Sequence, residues 1–78
     1  MYAVVHKSTL LTSLFYRLPS WKTKPAQSVL ALADNVSASI PDVSPSLVYD
    51  EIMRAVETGR PAIIRRSYLS FYLVEVYQ

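Results

Sequence analysis

At 78 residues the chain is one small domain, 1–78. It holds no Cys, one His and one Gly, which excludes disulfides, thiol nucleophiles, thiolate metal sites and the Gly-rich loops that cradle phosphates. A net charge of +2 is too small to argue for nucleic acid, and 51% apolar side chains mark a folding chain, not a disordered one.

The charge is unevenly spread. Residues 1–24 carry Lys7, Arg17, Lys22 and Lys24 with no acid. Residues 25–58 set Asp34, Asp42, Asp50, Glu51 and Glu57 against Arg54, and residues 59–78 set Arg60, Arg65 and Arg66 against Glu75. The ends are basic and the middle is acidic, as expected if the two ends meet in one sheet with solvated rims.

In chain order, the apolar run from Tyr2 to His6 predicts a short strand. Ser8 or Thr9 is then placed to cap a first helix, because a hydroxyl can accept from a free first-turn amide. Leu10, Leu11, Leu14, Phe15 and Leu18 share one stripe of that helix, and Pro19 ends it. Residues 20–24, with Trp21, Lys22 and Lys24, read as a linker. A second helix is expected from Pro25 to about Ser39, burying Val29, Leu32, Ala33, Val36 and Ile40 and stopped by Pro41.

The third helix has the clearest punctuation. Ser44 stands at the N-cap, Pro45 at the first helical position, Gly59 at a left-handed C-terminal position, and Pro61 prevents continuation. Its apolar stripe is Leu47, Val48, Ile52, Ala55 and Val56, and Asp50 precedes Arg54 by the four residues that favour an exposed pair.

From Ala62 to Tyr77 the chain is dense in β-branched and aromatic residues without Gly or Pro, and predicts strand. Fully extended it would span roughly 50 Å at about 3.3 Å per residue, too long for so small a domain. It is therefore expected to turn near residues 65–67, through a bulge or a longer loop, since no Gly or Asn supports a tight hairpin. The predicted fold is α+β: a short N-terminal strand, three helices, then a bent or paired C-terminal strand region, forming a small antiparallel sheet with helices on one face. The alternative is all-α, with Pro61 opening a fourth helix.

Catalytic chemistry finds little footing. His6 has no second His to join it and reads as structural. Asp50 and Glu51 point about 100° apart on a helix, so they do not converge. No catalytic, cofactor or metal residue is assigned, and the chain is expected not to be an enzyme and to need no cofactor.

Six Tyr and one Trp exceed what so small a core hides, and Tyr, Trp and Arg dominate binding surfaces. The expected function is that of a non-enzymatic protein-binding regulator or inhibitor, masking a site on a larger host complex and self-associating as a homodimer. Its size and composition suit a viral or mobile-element protein. The expected contact residues are Trp21, Arg65, Arg66, Tyr68 and Tyr72, with Asp50, Glu51 and Glu57 as an alternative acidic face. The competing expectation is nucleic-acid binding by the Arg- and Tyr-rich C-terminal strands. No run reaches the ~18 apolar residues of a membrane span, and residues 1–7 lack a signal-peptide pattern, so a cytoplasmic protein with no membrane partner is expected.

Overall fold

A computed structural model of the chain describes residues 1–9, 19–65, 67 and 70–78. The described elements run β1 (Tyr2–Thr9), β2 (Ser20–Lys22), α1 (Val29–Ser39), α2 (Pro45–Thr58), β3 (Ala62–Arg65) and β4 (Ser70–Tyr77). The four strands form one antiparallel sheet in the order β2-β1-β4-β3. The class is α+β, as the sequence predicts, and the all-helical alternative fails because residues 62–65 and 70–77 are strands.

β1 and β4 pair along their whole length, from Tyr2↔Tyr77 to Thr9↔Ser70. Side chains alternate across a strand, so this register sorts the sheet into two faces. Ala3 and Val5 of β1, Tyr72 and Val74 of β4, and Ala62 and Ile64 of β3 are all buried. They meet Leu32, Ala33 and Val36 of α1 and Val48, Ile52 and Ala55 of α2 in one core. Each fully buried Leu, Ile or Val contributes roughly 1.5–3 kcal/mol relative to its exposed state. Both described helices lie on this inner face.

The helix boundaries follow from named residues. Ser28 caps α1, its Oγ accepting from the Ala31 N–H at 3.1 Å. α1 therefore starts after Pro25 and its first turn excludes that proline, contrary to the expected start. Its end at Ser39, ahead of Pro41, agrees with the sequence, and the Ile40 N–H closes it on the Ser37 carbonyl. α2 opens with Ser44 at the N-cap and Pro45 next, but the Ser44 hydroxyl turns to Ser46 Oγ at 2.8 Å and caps no amide. Gly59 takes the left-handed conformation at φ 68° and donates to the Ala55 carbonyl, closing α2.

Three expectations are corrected. β1 does not stop at His6: it runs through Ser8 and Thr9, which pair with Phe71 and Ser70. The predicted helix over residues 10–18 lies outside the described residues. Residues 20–22 are not linker but the edge strand β2, in register Val4↔Lys22, Val5↔Trp21 and His6↔Ser20. Thr23 extends this ladder: its N–H donates to the Ala3 carbonyl at 2.8 Å, and its Oγ1 accepts from the Ala3 N–H at 2.8 Å. Finally, Arg54 pairs with Glu51 at 3.3 Å, one turn of i,i+3, and not with Asp50.

β3 ends at Arg65, where the sequence expects the strand region to turn, and β4 begins at Ser70. Ser67 and Ser70 exchange backbone hydrogen bonds of 3.2 and 3.4 Å.

Candidate interaction surface

The face of the sheet opposite the helices carries the other half of the alternation. Lys22 of β2, Tyr2, Val4 and His6 of β1, Leu73, Glu75 and Tyr77 of β4, and Ile63 and Arg65 of β3 share it by register. Val4, His6 and Leu73 are half-buried, and Ile63 and Tyr77 are exposed. Ser8, at the Phe71 end of the same face, is buried.

Polar order on this face centres on Glu75. His6 Nε2 lies 2.5 Å from Glu75 Oε1, a diagonal contact between β1 and β4. Tyr77 Oη donates to Glu75 Oε2 at 3.3 Å. The Glu75 carboxylate raises the Tyr77 phenol above its ordinary value of 10.0, because ionising the phenol would place a second negative charge beside the first. Tyr77 stacks on Tyr2 with ring centroids 5.2 Å apart, and Lys22 Nζ sits 4.1 Å from the Tyr2 ring centroid. The two rings and the cation thus brace the end of β1 against both neighbours.

A groove of about 600 Å³ runs between α2 and β3, whose edge away from β4 pairs with no strand among the described residues. Leu47 of α2, 42% exposed, and Ile63 of β3, 53% exposed, line it together with Glu51, Arg54, Arg60 and Arg65. Leu47 was expected in the buried stripe of α2; only Val48, Ile52 and Ala55 of that stripe are fully buried. The groove is therefore an apolar strip flanked by three guanidinium groups and one carboxylate. Arg54 is engaged with Glu51. Among the described residues Arg60 and Arg65 have no ion-pair partner, and both side chains are exposed.

The expected contact residues separate. Tyr72 is only 2% exposed and belongs to the core, which corrects its expected role at the surface. Trp21 is half-buried on the inner face and meets Tyr72 edge to face, with centroids 6.1 Å apart at 76°. Arg65 is exposed at the end of β3. Arg66 and Tyr68 lie outside the described residues. Of the acidic set, Asp50 and Glu57 are exposed on α2, whereas Glu51 is half-buried and turns to the groove. Among the described residues no three His, Asp or Glu side chains converge where they could hold a metal ion.

Leu47, Arg60 and Ile63 were not among the expected contacts. A signal for Ile63 was present: the alternation of β3 against β4 puts one isoleucine in and the next out. Compared with known proteins, the chain matches no family model, no curated protein and no solved structure. No helix among the described residues is long and apolar enough to cross a membrane.

Proposed function

We propose that the chain is a non-catalytic, protein-binding regulator acting in the cytosol, which masks a site on a larger complex. One observation supports this best: Leu47 and Ile63 stand exposed on either side of a groove rimmed by arginines. Exposed apolar side chains give area to bury against a partner, and arginine is among the residues enriched at the energetic centres of protein interfaces. Self-association belongs to the same reading, through the half-buried Val4 and Leu73 of the outer sheet face.

The nucleic-acid alternative has weaker support. A sheet that stacks bases needs aromatic rings with free faces and a positive field. Here Tyr2 and Tyr77 stack on each other, and Glu75 places a carboxylate in the middle of the face.

The test is capture from host lysate by the tagged chain, with and without nuclease, beside the double variant Leu47→Ser, Ile63→Lys. Both positions are exposed, so the variant is expected to fold, which circular dichroism checks. A partner that survives nuclease and is lost with the variant supports a protein-binding module. A partner released by nuclease overturns it in favour of nucleic acid.

A further inference from the structure

We infer that the groove beside β3 takes an extended acidic segment of a partner protein, which adds to the sheet as a fifth strand. The inference rests on the protein-binding reading above and specifies its mode and chemistry. Among the described residues β3 pairs only with β4, on one side. Its other edge meets no strand among the described residues, so alternate N–H and C=O groups of Ala62–Arg65 face the groove. Such an edge is a template for another chain. Four residues give about 13 Å of edge at ~3.3 Å per residue, enough to hold a short strand in one register.

The side chains around this edge say what that strand carries. Ile63 and Leu47 offer apolar contacts to alternate residues of an incoming strand. Arg60 lies just before β3 and Arg65 ends it, so the edge is bracketed by two cations that no described acid neutralises. Guanidinium groups bind carboxylates through paired N–H donors. A second copy of β3 would bring its own Arg60 and Arg65 against these, like charge on like. A nucleic acid would satisfy the arginines but not the strand-spaced amides and carbonyls. An acidic extended peptide satisfies both.

The probe is a short fluorescent peptide alternating Val and Glu, beside versions with Ser or Lys in place of Glu. The acidic peptide is expected to bind saturably, with the Lys version roughly tenfold weaker or worse. Arg60→Glu with Arg65→Glu, both at exposed positions, is expected to reverse that preference. N-methylating one alternate set of peptide amides should abolish binding, while the other set is tolerated, because only one edge of the peptide faces the protein. Equal binding of all three peptides overturns the acidic specificity. Equal loss from either methylation set overturns strand addition. A single-stranded oligonucleotide that displaces the peptide with the same arginine dependence overturns the choice of a protein partner. If the chain captures a nuclease-resistant partner through Leu47 and Ile63 yet binds none of the peptides, this inference fails and the binding-module reading stands. If it does neither, both fail.

Discussion

Glu75 is the residue on which most of the outer face depends. It contacts His6 on the neighbouring strand and accepts from Tyr77 on its own. Its negative charge raises the Tyr77 phenol above 10.0. A raised folded-state value means the neutral phenol is favoured in the native protein. That contribution to stability is present below pH 10 and is lost as pH rises through the folded value. Glu75→Gln is therefore expected to bring the Tyr77 titration back down toward 10.0 and to flatten the alkaline loss of stability. An NMR titration of the Tyr77 ring carbons, with urea unfolding on both sides of pH 10, checks both parts. An unmoved Tyr77 titration would show that the carboxylate is not the cause. This arrangement was hidden from the sequence, because Glu75 and His6 lie 69 positions apart and meet only through the β1–β4 register. Tyr72 was more accessible: it shares the alternation of Val74, which points inward. Its aromatic character drew attention to the surface when its parity placed it in the core.

At the scale of elements, α2 was legible almost residue by residue, because Pro45, Gly59 and Pro61 act through fixed backbone preferences that need no tertiary context. β2 was not. Three residues are too few to show a period, and Lys22, Thr23 and Lys24 look polar enough for a loop. What makes the segment a strand is its neighbour β1, together with Thr23, which meets both the N–H and the C=O of Ala3. Thr23→Val keeps the shape and the strand preference but leaves the Ala3 N–H buried without its acceptor. The expected cost is about 1–3 kcal/mol, read from urea unfolding. Hydrogen exchange at the Ala3 amide should accelerate in step. A variant as stable as the parent would show that the Thr23 hydroxyl is not what satisfies the Ala3 N–H. The same reasoning explains the overlong β1. The apolar run ends at His6, yet the strand continues through Thr9 because Tyr72, Phe71 and Ser70 are there to pair with Lys7, Ser8 and Thr9.

For the whole molecule, the Cα radius of gyration is 11.7 Å. A compact chain of this length is expected near about 11.5 Å, so a single copy already has the density of a complete domain. Small-angle scattering of a dilute sample is expected to return a value close to this. Self-association through the outer face predicts a rise with concentration, and Leu73→Lys, on that face, should suppress the rise. A radius independent of concentration would remove the homodimer and leave a monomer that binds other chains. The layer arrangement was readable in advance because both ends of the chain are rich in strand formers and the middle has helical spacing. The central place of the first strand beside residues 71–77 was readable too, because a short apolar run needs a neighbour on each side; the identity of the second neighbour, β2, was not.

That central place has a consequence for how the protein is made. β1 leaves the ribosome before the other described elements, and its longest partner, β4, follows after all of them. Until then, among the described residues, β1 has only the three residues of β2 paired with it, and its β4 side lacks a strand. The helices can form as they emerge, but they have no finished sheet to cover. The sheet thus waits for β4 to emerge, and a nascent chain cut short before residue 70 presents β1 without its long partner to whatever chaperone or protease meets it first.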